Sequence, residues 1–408
     1  MKRRVVVTGR GIVSSLGSSV EAAFERLKTP RNCVEVSPEL SGYKGLQTCL
    51  WAPCRYVRPA EYTRKVIRTM SPVSEMALFA TDQALADAGL ADSPELKGGR
   101  LGVAYGSCSG GVEANLDFAS ILVNREVKNV TSSTYIKMMP QTTAVNLSVR
   151  YGTTGRILPT GTACTSGSLA IGEAYEQIAY GLQNMMIAGG AEEFSVTQVA
   201  VFDTLFATSR KNDAPETTPR AFDKNRDGLV IGDGAATLIL EEREHALARG
   251  ATIYAEIAGF GTNTDGRHVT QPNADTMAVA LRLALADASL DPAAIGYVNL
   301  HGTATDLGDI AEGTATESVF GKAKVPVSTI KSYTGHTLGA CGAIEAAMTI
   351  EMLRHDWYAP SLNLVDPDPR CGEHDFLIGD GRSFAAEFAM SDNFAFGGVN
   401  TSLIFRRV

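Results

Sequence analysis

Apolar positions along this chain recur with two alternating periods. Short continuous apolar runs read as buried strands, and stretches with apolar residues at helical spacing read as helices. Arg4–Thr8 predicts a strand, Val20–Leu27 a helix, Val73–Ala88 a helix stopping at Gly89, and Leu101–Tyr105 a strand that opens into the turn Gly106–Gly111. Leu169, Ile171, Ala174, Ile178 and Leu182 fall on one helical face. Asn184–Ala191 and Gly232–Leu240 predict further strands. From Ala251 the pattern restarts: strand Ile253–Ala258, helix Thr276–Ala288, strand Tyr297–Leu300 ending at His301, strand Val325–Ser328, a helix over Gly339–Leu353, and a closing turn and strand over Phe394–Phe405. Residues 29–62, punctuated by prolines and glycines, read as an irregular surface excursion. Alternating strands and helices in both stretches predict a layered α/β architecture in two halves, 1–250 and 251–408. No literal repeat is visible, so the duplication rests on element order alone.

Composition narrows the function. The chain has 408 residues, 44% hydrophobic and 20% charged, enough for two sizeable cores. A net charge of −8 argues against nucleic acid as a partner, and no apolar run approaches a membrane span. The first residues lack a signal-peptide pattern. Seven cysteines without C-x-x-C or zinc spacing predict a reducing, cytoplasmic setting and no metal site. Two apparent ligand motifs are rejected. Gly9-Arg-Gly11 after the first strand lacks the third glycine of a dinucleotide turn, with Ser14 in its place. Asp223–Gly228 copies half of a calcium loop, but Gly234 stands where the bidentate Glu belongs.

Candidate chemistry collects in loops. Cys164 lies among small residues in Pro159–Gly167, just before a helix whose N-terminus favours thiolate. Thr165 and Ser166 are placed to accept the first free N–H groups of that helix. A space-filling cysteine fits the same local sequence. Downstream, two of the six histidines, His301 and His336, sit in small-residue loops that follow strands, with Lys331 beside the second. Asn393–Asn400 forms a glycine hinge flanked by Phe394 and Phe396.

Together Thr162–Gly167, His301–Thr305, Lys331–His336 and Phe394–Asn400 resemble, in order and spacing, the motifs of the elongating β-ketoacyl-acyl-carrier-protein synthases. The resemblance spans essentially the whole chain. It implies a thiolase-like fold, a duplicated α/β/α/β/α stack, and decarboxylative condensation of an acyl group held on Cys164 with malonyl-carrier protein. It implies His301, His336 and Lys331 as catalytic partners, N–H groups of Cys164 and Phe396 as oxyanion hole, and Phe394 and Phe396 as gate. Thr303 and Thr305 match positions on the pantetheine arm. Asp309 and Glu312 match acids holding the lysine and its loop, although an Asp309–Lys331 pair would serve equally as a purely structural salt bridge. Ser109, Met138 and Phe202 match an acyl tunnel, with Met138 a candidate donation from a partner subunit. Lys65, Arg68, Arg125, Lys128, Arg210 and Lys211 are candidates for docking an acidic acyl carrier protein around the pocket mouth.

The resemblance implies no cofactor beyond the phosphopantetheine brought by the carrier, and a homodimer or a heterodimer with a related subunit. In some relatives, residues matching Asn299, Glu345, Ser391 and Asp392 hold a monovalent cation, but Asp392 replaces the usual asparagine. Ala304, Ala395, Val399 and Leu229 also depart from the common pattern, which bears on chain selectivity and gating. A silent chain-length partner lacks the nucleophile, and a biosynthetic thiolase would carry a cysteine where Phe396 stands. A carrier-binding module without chemistry is the third alternative.

Overall fold

The computed structural model describes residues 2–408. Eleven strands form one extended sheet: β1 (Val5–Ser14), β2 (Leu101–Gly106), β3 (Ile157–Thr160), β4 (Met185–Glu192), β5 (Gly234–Glu242), β6 (Ala255–Thr264), β7 (Ile295–Asn299), β8 (Pro326–Ser328), β9 (Asp375–Phe376), β10 (Phe388–Phe394) and β11 (Val399–Arg406). Their spatial order is β9-β8-β7-β10-β11-β6-β1-β5-β4-β2-β3. The two halves meet where β1 runs antiparallel to β6 over Val5–Val7. Each half has the same plan. In the first, β2 is flanked by parallel β3 and β4, and β5 returns antiparallel. In the second, β7 is flanked by parallel β8 and β10, and β11 returns antiparallel.

Helices complete the layers. α1 (Pro72–Asp87) covers β1 and β5 on one outer face, and α4 (Ala274–Ala288) covers β6 and β11 on the other. Between the half-sheets lie α2 (Ser166–Ala179) and α7 (Cys341–His355), each packed on strands of both halves. A helix buried on all sides is apolar all round, and nearly every residue of α7 is buried. α3 (Val196–Thr204), α5 (Asp306–Phe320) and α6 (Lys331–Thr334) lie at the strand ends.

The Gly9-Arg-Gly11 motif belongs to this packing. It is not a turn, because β1 continues through it to Ser14. A Cβ added at Gly9 or Gly11 would lie 2.2 Å from the Ala84 carbonyl oxygen or 1.9 Å from that of Ala80, both on α1. The glycines admit the helix backbone, and the motif serves strand–helix contact. Asp223 of the calcium-like stretch spends its carboxylate on the N–H groups of Asn225, Val365 and Asp366.

The predicted helix after Cys164 ends at Ala179, which leaves Leu182 outside it, 42% exposed. Thr165 and Ser166 do not cap that helix. Their hydroxyls donate backward to the carbonyls of Thr162 and Ala163, and Ser166 Oγ accepts from Thr162 N–H. Lys331 opens the short helix α6 rather than lying in a loop. Three elements show no clear period in the sequence: β3, β10 and the helix α5.

Candidate active site

Cys164, His301 and the pair Lys331 and His336 come from three separate stretches of chain and meet at the ends of the parallel strands. After β3 the chain turns sharply through Ala163, which takes a left-handed φ of 50°. That strained turn presents Cys164 at the mouth of α2, where it is 5% exposed. Its Sγ lies 3.0 Å from His336 Nε2. The backbone N–H groups of Phe396 and Cys164 both approach the sulfur. Burial pushes the thiol up to about 11, while Lys331 and those two N–H groups pull it down. The helix-terminus expectation of a resting thiolate is therefore corrected: desolvation of the charged form wins.

The ring nitrogens reveal how the histidines are held. His336 Nδ1 accepts from Leu338 N–H at 3.3 Å. His301 Nδ1 lies 3.0 Å from Lys331 Nζ and 3.2 Å from Asn393 Nδ2, both donors. A neutral imidazole that accepts at Nδ1 carries its proton on Nε2. Burial first, and then the Lys331 charge, holds both histidines well below their ordinary pKa. Both are neutral at physiological pH with the proton on Nε2, where that of His336 faces Cys164 Sγ. The rings stand 5.2 Å apart and nearly perpendicular.

Cys164, His301 and His336 place one ligand atom each within 4.8 Å of one another, a metal-like trio. Their tautomers oppose metal binding, because a metal needs the Nε2 lone pair that the proton occupies. Lys331 adds a repelling positive charge.

Lys331 is fully buried and pairs with Glu345, not with Asp309. Burial works to lower its pKa, but Cys341 and Glu345 raise it above the ordinary value, so the ammonium persists. Asp309 instead accepts from Phe222 N–H at 2.7 Å and Ala304 N–H at 3.1 Å, with Arg226 at 3.7 Å. Glu312 accepts from His301 N–H at 2.5 Å and Gly302 N–H at 2.7 Å, and so fixes the histidine loop. Glu345 and Asn393 are the site residues whose part the sequence left unread. Asn393 donates to Glu345 at 2.6 Å and thereby joins His301, Lys331 and Glu345 into one network. Its place at the head of the glycine hinge was the available signal.

Both Glu345 oxygens are engaged by Lys331 and Asn393, which leaves Asn299, Ser391 and Asp392 as the free donors of the cation-like set. Asn299 Nδ2 donates to Ser391 Oγ at 3.3 Å, and burial pushes Asp392 up to about 7.

A cavity of about 440 Å³ opens onto Cys164, His301 and His336. Thr303 and Thr305 line it, their hydroxyls 2.9 Å apart, with Leu229, Phe202, Phe394 and Phe396. Gly397 N–H is bonded to Val269 O at 2.9 Å, which ties the hinge to the rim loop. Phe202 meets Phe396 ring to ring at 5.1 Å. Ser109 and Met138 do not line this cavity. The Ser109 hydroxyl is taken by Gln198, and Met138 lies half-buried at the end of the helix Ser132–Met138. None of the six basic candidates lines it either. Arg210 comes nearest, stacked 5.3 Å over the cavity residue Phe206, with half-buried Lys211 beside it. Lys65 and Arg68 project from the short helix Arg64–Ile67 and its C-cap. Arg125 and Lys128 are exposed beyond Asn124, and Lys128 pairs with Glu126 at 2.6 Å.

Residues 2–246 match the family model described as Beta-ketoacyl synthase, N-terminal domain, and residues 254–365 match Beta-ketoacyl synthase, C-terminal domain. The 3-oxoacyl-(acyl-carrier-protein) synthase 2 of Vibrio cholerae is 39% identical over the whole of both chains. The crystal structure of a beta-ketoacyl synthase from Burkholderia phymatum superposes with a TM-score of 0.98 at 56% identity, again over both whole chains. The ishigamide ketosynthase/chain length factor superposes over both chains at 0.92 and 27% identity.

Proposed function

The chain belongs to the β-ketoacyl synthase family, and from that premise we propose that it condenses an acyl group on Cys164 with malonyl-acyl-carrier protein, releasing carbon dioxide. The observation that carries this reading is the buried trio of one thiol and two neutral imidazoles, each with its proton on Nε2 and that of His336 directed at Cys164 Sγ.

In the first half-reaction Cys164 Sγ attacks the thioester of an acyl carrier. The carbonyl oxygen takes negative charge against the N–H groups of Cys164 and Phe396. The thiol proton leaves with the pantetheine sulfur, so this half is proton-neutral. Malonyl-carrier then enters along Thr303 and Thr305, whose hydroxyls suit the amides of the pantetheine arm. As the carboxylate departs as carbon dioxide, the thioester oxygen becomes an enolate. His301 and His336 stabilise it as neutral donors, without giving up a proton. The new carbanion attacks the acyl carbon, a carbon–carbon bond forms, and the Cys164 sulfur leaves as thiolate and takes one proton from solvent. Lys331 keeps the His301 proton on Nε2, and Glu345 and Asn393 keep Lys331 in place. Phe396 moves from Phe202 to admit the acyl chain, with Phe394 as the second gate residue.

The carrier docks by its acidic surface on exposed basic residues, with Arg210 and Lys211 nearest the cavity. The reading needs no cofactor beyond the carrier's own arm. It places the enzyme as a dimer with the carriers of the cytoplasm. Among the described residues no helix is long and apolar enough to cross a membrane. The likeness to a ketosynthase/chain length factor supports a second form of the same reading, in which this chain is the catalytic subunit of a heterodimer. Incubation with acyl carrier and then malonyl-carrier, followed by intact mass, tests the reaction. An acyl adduct on Cys164 that disappears as a two-carbon-longer product forms is expected, and its absence would reject the proposal. Native mass spectrometry of the purified chain separates homodimer from a subunit awaiting a partner.

A further inference from the structure

A buried amide stands one helical turn before the cavity residue Phe202. Gln198 lies on α3 four positions before Phe202, and it is 8% exposed. Its Nε2 donates to Ser109 Oγ at 3.0 Å and to Glu192 Oε1 at 3.3 Å. Burial raises the Glu192 carboxyl to about 7 against the N–H bonds it accepts from Cys108, Ser109 and Gly339, and in its ionised form it takes the N–H side of the amide. Gln198 Oε1 is left with no hydrogen-bond partner. The Ser109 hydroxyl accepts from the amide and donates to nothing among the described residues. Beside them lies an apolar cluster of Val199, Phe202, Leu229 and Leu338, with Cys108 and Phe396 packed against it. An unpaired buried carbonyl is costly, so a fold retains one where a ligand completes it.

We propose that Gln198 and Ser109 form a polar subsite behind the Phe202–Phe396 pair, outside the resting cavity and reached by an acyl chain once Phe396 moves aside, which reads a hydroxyl group on that chain. The inference rests on the condensation reading above. The pair presents one free acceptor, Gln198 Oε1, and one free donor, the Ser109 proton. Only a group that both donates and accepts satisfies them together, and a hydroxyl does so. A keto group would leave the Gln198 oxygen unpaired. A charged amine would lose its hydration beside an apolar cluster. A saturated or conjugated hydrocarbon would leave both groups unpaired, and a site built around such groups discriminates against the chain that lacks the partner.

The test measures kcat/KM for wild type with acyl carriers of one chain length, either unsubstituted or bearing a single hydroxyl at successive carbons. One hydroxylated position should be preferred over the plain chain by about tenfold, the effect of one satisfied hydrogen bond. Gln198→Met and Ser109→Ala should each bring that ratio toward one. Thermal unfolding checks that they fold, and if one does not, the other still decides. Equal rates for plain and hydroxylated chains in wild type, or a preference that survives in a folded variant, would overturn the subsite while leaving condensation intact. Extension of no carrier at all would overturn the condensation reading and the subsite with it.

Discussion

The two halves of the molecule share a scaffold and differ in what they bring to the centre. β1 packs Gly9 and Gly11 against the carbonyls of Ala84 and Ala80 on α1, and β6 packs Gly259 and Gly261 against those of Ala284 and Ala280 on α4. Both central helices follow a left-handed residue, Ala163 at 50° and Leu338 at 49°. At the next position the halves part. The first has the nucleophile Cys164, and the second has Gly339, where a Cβ would lie 2.6 Å from a Glu192 oxygen. The strand ends diverge likewise. β2 leads into a loop held by Glu192, which accepts from Cys108 N–H at 2.7 Å, whereas β7 leads into His301. In the proposed mechanism one half supplies the electrophile's anchor and the other the donors for the enolate. Each completes the other: His336 N–H bonds Val230 O at 2.7 Å across the halves. A duplicated frame thus fixes geometry twice, while chemistry is free to differ at the strand ends, where backbone groups are not committed to the sheet.

The sharpest break of this division is Cys164→Ala. Condensation should vanish, while malonyl-carrier decarboxylation persists, because the second half is untouched. Product formation and carbon dioxide release are followed in parallel, and surviving condensation would move the nucleophile elsewhere. His301→Ala and His336→Ala are the mirror test. Each should still show the acyl adduct by mass but lose about 10²- to 10⁴-fold in extension. Loss of the adduct in both folded variants would show that the halves do not divide the labour this way.

Scaffold equivalence is tested by Gly11→Ala and Gly261→Ala. The added Cβ would lie 1.9 Å from Ala80 O or 2.2 Å from Ala280 O, so each should destabilise by about 1–3 kcal/mol or more in denaturant unfolding. One tolerated and one disruptive substitution would break the symmetry. The state of the thiol is read from iodoacetamide labelling of Cys164 against pH. A thiol raised to about 11 by burial is protonated at neutral pH, so labelling should quicken steadily as pH rises toward that value. A plateau near neutral pH would restore the resting thiolate. The smallest effect is expected at the surface. Charge reversal at Arg210 and Lys211 should raise KM for the carrier several-fold at low salt and less at high salt. A larger effect from Lys65 and Arg68 would shift docking away from the cavity rim.

Much of this was legible before folding because it is local. The glycine and small-residue loops that carry Cys164, His301 and His336 interrupt clean apolar runs, and such breaks after strands mark α/β sites. The long helices α1 and α4 and the buried strands β2 and β4 show their period in any window. β3 and β10 carry prolines or polar residues that hide theirs, and the two-residue β9 depends on its neighbour for its strand character. The pairing of Lys331 was read wrongly for the same reason. Asp309 and Glu345 are both acids downstream or upstream of a loop, and nothing in their spacing says which one the lysine meets.

Residue order alone thus singled out the candidate nucleophile, the two histidines, the hinge and the alternation of strands and helices, because these depend on side-chain type and short-range periodicity. Folding decided the rest. It gave the Gly9-Arg-Gly11 glycines their role as a helix contact, gave Lys331 to Glu345, set the proton of His301 on Nε2 through donors far along the chain, and raised the Cys164 thiol by burying it. These are properties of desolvation and of contacts between distant segments, which exist only once the two half-sheets close around α2 and α7.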